Sequence, residues 1–190
     1  MKKFLIGACA ILVAVIAVMI SLACVKPKYQ LNYSSASSVT VFEKSVTAKK
    51  KNNIDNFEKD SAVYAEVMKL IDESLSYSLL KLLYNQKNPK MIVEQDLSSS
   101  AVSFTNSLKQ ANYCIELTFD TPQNQIVYYE GDAKLVTANG YYGLMFVLGS
   151  EKNFRDINIF FKTTSYGAYQ NNPMKITIDN SKLIDYIISM

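Results

Sequence analysis

Histidine is absent from the 190 residues, arginine occurs once, as Arg155, and the three cysteines are Cys9, Cys24 and Cys114. The lack of histidine excludes Ser-His-Asp and Cys-His nucleophile systems, His-ligated zinc, and the commonest general base at neutral pH. Two of the cysteines fall within or at the end of an apolar N-terminal run, so no structural disulfide is expected. Strong net charge is missing too. Two of the 20 basic residues, Lys2 and Lys3, precede that run and none of the 17 acids do, leaving 18 basic against 17 acidic residues. A nearly neutral remainder has no bulk attraction to nucleic acid, and neither a nucleic-acid partner nor a cofactor is expected.

What is present begins with the apolar run itself, which extends from Phe4 to Val25 without a charge. About 22 residues at ~1.5 Å each reach roughly 33 Å, the thickness of a hydrocarbon core. The run exceeds the roughly 7–15 apolar residues of a cleaved secretory signal. Lys2, Lys3 and the α-amino group precede it and Lys26 and Lys28 follow, so the charge bias for an N-inside orientation is slight. Its end, Ile20-Ser21-Leu22-Ala23-Cys24, resembles the lipobox of bacterial lipoproteins, with Ser21 where that family favours leucine. The resemblance covers the targeting segment alone. It implies lipid attachment at Cys24 and export of everything after it. An uncleaved single-span helix and simple secretion are the alternatives, and all three place the bulk of the chain outside the cytoplasm.

The segmentation that follows is an anchor or signal over 1–25, a polar Ser-rich tether over 26–38, and one domain over 39–190. About 165 residues suffice for a hydrophobic core. Val39 and Val41, alternating with Thr40 and Phe42, predict a strand; Lys49-Lys50-Lys51-Asn52-Asn53 predicts a solvated turn, with contact to anionic lipid as the sharper reading. Apolar residues spaced three and four apart predict a long amphipathic helix from about Asp60 to Tyr84. Weaker signals suggest a strand at Met91–Val93, a loop at 98–100 and a short helix over Ala101–Leu108.

From Cys114 onward the pattern is β. Ile115, Leu117 and Phe119 alternate with polar neighbours, Asp120 to Asn124 predicts a turn before Ile126–Tyr129, and Asn139-Gly140 predicts a type I′ hairpin leading into Tyr141–Leu148. Ile157, Ile159 and Phe161 predict another strand, as do Met174, Ile176 and Ile178. A short helix capped by Asp179 or Asn180 closes the chain. The expected class is α+β, the long helix packed on an antiparallel meander of four or five strands, after an N-terminal membrane segment.

No motif names a reaction. Glu130-Gly131-Asp132 could join Glu116, Asp120 or Asp156 as a carboxylate cluster, but nothing matches an EF-hand loop and a turn is the plainer reading. A dyad of Ser98, Ser99 or Ser100 with a lysine has no support beyond the abundance of both types. Cys114 is expected to act as a small hydrophobe. The candidate binding loop is 163–173, where Tyr166, Gly167 and Tyr169 stand among small polar residues suited to adaptable contacts; the alternative has both tyrosines folded back on the sheet. Tyr128, Tyr129, Tyr141 and Tyr142 are expected to pair across strands. The resulting expectation is a membrane-anchored, non-catalytic domain that binds a protein or peptide, with no metal site. A single-span regulator or accessory subunit is the second reading and a His-free envelope hydrolase the third.

Overall fold

Alternating apolar residues in the second half of the chain bury one face of each strand, and a computed structural model shows how those faces meet. It describes residues 2–24, 31–44, 51–76, 92–93, 104–129, 135–149, 152, 154–165, 169–170 and 173–190. The strands are β1 (Ser38–Lys44), β2 (Lys51–Glu58), β3 (Ile92–Val93), β4 (Tyr113–Tyr129), β5 (Leu135–Leu148), β6 (Phe154–Lys162) and β7 (Met174–Asp179). Six of them form an antiparallel sheet in the order β2-β1-β4-β5-β6-β7. The two-residue β3 lies parallel to the end of β4 and antiparallel to β7. The fold is α+β, and β4 to β7 form the expected meander.

Three expectations are corrected within the sheet. Lys51-Asn52-Asn53 belongs to β2 rather than to a turn, and residues 45–50 lie outside the described residues. An edge strand has little apolar face to fill; in β2, which pairs with β1, Phe57 packs against the core, so the periodicity is faint. Asp120–Asn124 does not reverse the chain, because β4 continues through it. Asn139-Gly140 is likewise interior to β5. These two segments face each other as opposed bulges. Between the Thr118↔Gly143 and Gln123↔Tyr141 pairs β4 carries extra residues, and between Gln123↔Tyr141 and Gln125↔Ala138 the surplus passes to β5. Gly140 has φ 70°, the conformation a bulge requires as much as a hairpin does.

Helix α2 (Ala62–Leu75) opens on Ser61, whose Oγ accepts from the Tyr64 amide at 3.1 Å. Tyr64, Val67, Leu70, Ile71 and Leu75 form its buried stripe. The helix is shorter than the expected 60–84: Ser76 adopts extended dihedrals, and its hydroxyl donates to the Asp72 carbonyl at 3.3 Å. Serine side chains offer backbone groups such local alternatives to a continued helix. Residues 77–84 lie outside the described residues. The short helix expected at 101–108 is α3 (Phe104–Gln110). Helix α4 (Ser181–Ser189) buries Leu183, Ile184 and Ile187, and the Asp179 carboxylate accepts from the Ser181 amide at 3.2 Å. Lys182 pairs with Glu73 at 2.7 Å, linking α4 to α2. Both helices join the main core around Val39, Val41, Ile115, Leu117, Leu144 and Phe146. A second, smaller cluster of Ala111, Cys114, Met145 and Phe160 occupies the opposite face, beside Phe104 and Leu108 of α3.

The polar stretch read as a tether is docked over 31–37. Leu31, Tyr33 and Ala36 are buried, and the Ser37 amide donates to the Thr118 carbonyl at 2.8 Å. Apolar residues spaced by two and three within a Ser-rich run are too few to show a period, so only their burial reveals them. This strap is pinned at the bulge. The Asn32 amide donates to Gln125 Oε1 at 2.8 Å, Asn32 Nδ2 donates to the Asn124 carbonyl, and the Tyr141 hydroxyl donates to the Asn32 carbonyl at 2.7 Å.

Helix α1 (Lys2–Cys24) is continuous over 23 residues. Its described side chains, 11–21, are all exposed. Among the described residues no helix is long and apolar enough to cross a membrane.

Candidate functional site

Alternation along β4 places Cys114 and Glu116 on the sheet face away from the main core, and the strand register sets Gly143, Met145, Phe160 and Lys162 beside them. Tyr169 reaches this face through a bridge to Lys162, supported by a Gln170 amide bond to the Phe161 carbonyl at 2.8 Å. Its hydroxyl donates to Glu116 Oε1 at 2.6 Å, while Lys162 Nζ lies 3.5 Å from the same oxygen and 5.8 Å from the Tyr169 ring centroid. The ring stacks on Phe104 at 4.7 Å, and Phe104 meets Phe160 edge-on at 5.2 Å. Tyr169 is therefore folded back on the sheet, the alternative reading of the candidate loop, and joins it to α3.

Gly143 makes this closure possible. A Cβ there would stand 3.1 Å from the Tyr169 hydroxyl and 3.3 Å from both the Leu117 carbonyl oxygen and Lys162 Cβ. An isolated glycine in a strand often marks such a close approach, and this is the signal that sequence reading left unused. Glu116 and Lys162 side chains are only 16% and 21% exposed, so their pairing is far less screened than a surface ion pair.

Burial, followed by the Glu116 carboxylate, pushes the Tyr169 hydroxyl far above its ordinary pKa. It stays protonated and acts as a donor, which suits positioning rather than proton abstraction. Tyr33 is raised by burial and by Asp72, and Tyr64 and Tyr141 by burial. The folded state thus holds protons that the unfolded chain releases above pH of about 10. Stability from these groups is complete below that pH and declines as pH rises through it. We expect the denaturant midpoint to be lower at pH 11 than at pH 9; an unchanged midpoint would contradict the assignment.

Tyr166 and Gly167 lie outside the described residues, as do Glu130 and Asp132. Tyr169 is the described member of the candidate loop set. Cys114 is a buried thiol in the small cluster. Glu116 is engaged by Tyr169 and Lys162, and Asp120 is exposed. Among the described residues no group of three acidic or cysteine side chains is placed to hold a metal ion. Tyr141 is fully buried between Phe119 and Phe161, the cross-strand packing anticipated for it. Cys24 is the last residue of α1.

Tyr169→Phe is expected to lower stability by about 1–2 kcal/mol through loss of a hydrogen bond to a charged acceptor. Gly143→Ala should displace the same hydroxyl, so the double variant should cost clearly less than the sum of the two. Chemical denaturation of the four chains tests this, and strict additivity would show that the contacts are independent.

No family model, curated protein or solved structure matches this chain.

Proposed function

We propose that the chain is a membrane-anchored bacterial protein whose α+β domain faces outside the cytoplasm and binds a protein or peptide without catalysing a reaction. The observation that carries the reading is α1. Ile11, Leu12, Val13 and Ile20 are 58–68% exposed, and the other large apolar side chains of 11–21 are exposed as well. Beyond α1, the exposed large apolar residues among those described are Ile188 and Met190. A helix that is apolar on every side needs an apolar medium, and a bilayer supplies one. The lipobox-like end at Cys24 favours lipid attachment there. The binding role rests on the composition of 163–173, small polar residues with Tyr166 among them, a combination suited to adaptable recognition; Tyr169 is held within the fold by Glu116 and Phe104 and serves to fasten that segment.

The test is Cys24→Ala in the full chain expressed in a bacterium, with mass determination of the mature product. Lipid anchoring predicts a native product beginning at an acylated Cys24 and a variant that is neither processed nor acylated. Unchanged processing and membrane retention would overturn lipid attachment. The length of α1 favours the second reading, a single-span regulator or accessory subunit: 23 helical residues rise about 34 Å, close to the thickness of a hydrocarbon core. A native product that retains Met1 would support it.

A further inference from the structure

Residues 25–30 alone separate Cys24, the end of α1, from Leu31, which is buried in the domain. Seven residue steps, fully extended, reach at most about 25 Å. The bound is the same whether α1 remains in the bilayer or an acylated Cys24 replaces it, because the attachment point is Cys24 in both cases.

The strap that begins at Leu31 is fastened to one shoulder of the domain. Asn32 bonds to Asn124 and Gln125, and the Gly140 amide donates to Asn124 Oδ1 at 3.1 Å. The hydrogen bonds carry the short reach of the link over to the bulge. Resting on the membrane reading, we propose that the shoulder formed by the strap and Asp120–Asn124 lies against the lipid headgroup layer, held there by chain length and not by charge.

The shoulder carries little charge to draw it to lipid. Asn32, Ser34, Ser35, Thr121, Pro122 and Asn124 are exposed and uncharged, and Asp120 adds a carboxylate. A face adhering to anionic lipid would instead carry lysines and would release at high salt. Neutral polar groups are compatible with a hydrated headgroup layer without being drawn to it. From this mid-strand bulge, the C-terminal end of β5 is carried well away. Leu148 lies seven residues beyond Tyr141 along β5, about 23 Å at 3.3 Å per residue, and Lys152 follows it.

Energy transfer to a headgroup dye in phosphatidylcholine vesicles tests the inference on the full chain. A donor dye is coupled through azidophenylalanine placed at Thr121 or at Lys152. Transfer from 121 should exceed that from 152 by about twofold, and inserting about 20 Gly/Ser residues after Lys28, a coil of roughly 25 Å, should remove most of that excess. Raising NaCl to about 0.5 M should leave both values unchanged, since screening acts on charge attraction alone. Equal transfer from the two positions, or an excess that survives the insertion, overturns the placement. Transfer lost in salt overturns the claim that chain length holds it. A chain that washes off the vesicles overturns the membrane reading itself, whereas retention with equal transfer overturns the placement alone.

Discussion

Tyr141→Ala should lower the unfolding free energy by about 3–5 kcal/mol and the midpoint temperature by roughly 6–20 °C. The side chain is fully buried at the centre of the sheet. Its ring meets Phe119 edge-on at 5.6 Å and Phe161 at 5.1 Å. Truncation leaves a cavity that two neighbouring aromatic rings cannot fill without leaving their rotamers. Tyr141→Phe separates packing from hydrogen bonding, because it keeps the ring and removes the donor to the Asn32 carbonyl. That change should cost only about 1 kcal/mol globally. Its effect should be concentrated in the strap, where amide exchange over 31–37 should accelerate relative to β5 and β6. Calorimetry and hydrogen exchange on both variants test this. A Tyr141→Ala chain as stable as the parent, or uniform exchange in Tyr141→Phe, would show that the ring does not organise this region.

The second large effect concerns α1. Lysine at both Val13 and Ile16, near the middle of the helix, should oppose membrane insertion by roughly 5–7 kcal/mol, from about 2.5–3.5 kcal/mol per lysine at a helix centre. The membrane-bound fraction should collapse. Thr164→Lys, at an exposed position of the domain, should leave it unchanged. Fractionation of cells expressing each chain measures the outcome, and an unaltered membrane fraction for the double variant would mean that α1 is not the anchor.

Most of the β-rich half was legible because period-two burial follows directly from strand geometry. Ile157, Ile159 and Phe161, then Met174, Ile176 and Ile178, are buried as their alternation requires. The buried stripe of α2 was legible for the same reason, although its C-terminal limit was not. Apolar spacing persists past Ser76, but there the backbone turns extended and its hydroxyl bonds the Asp72 carbonyl, neither of which hydrophobic spacing reports. The two turn signals failed in an instructive way. Asp-Thr-Pro-Gln-Asn and Asn-Gly report backbone freedom, and freedom suits a bulge as well as a reversal; the choice depends on whether the partner strand continues. Here both strands continue and the bulges oppose each other.

The grouping of Glu116, Lys162, Tyr169, Gly143 and Phe104 was not legible. These residues come from separate segments, and apart from the strand-interior Gly143 each was ordinary in its local context. By itself the sequence determined the apolar run and its lipobox-like end, the near-neutral charge, the His-free chemistry and the α+β class, because composition and periodicity depend on neighbours in the chain. Only the tertiary structure decided that the polar stretch after the run is a fastened strap, that two turn motifs are bulges, and that Tyr169 closes on Glu116 across the notch at Gly143. Those outcomes depend on which strands continue and which surfaces meet, and contacts between residues 53 and 109 positions apart leave no local period to read.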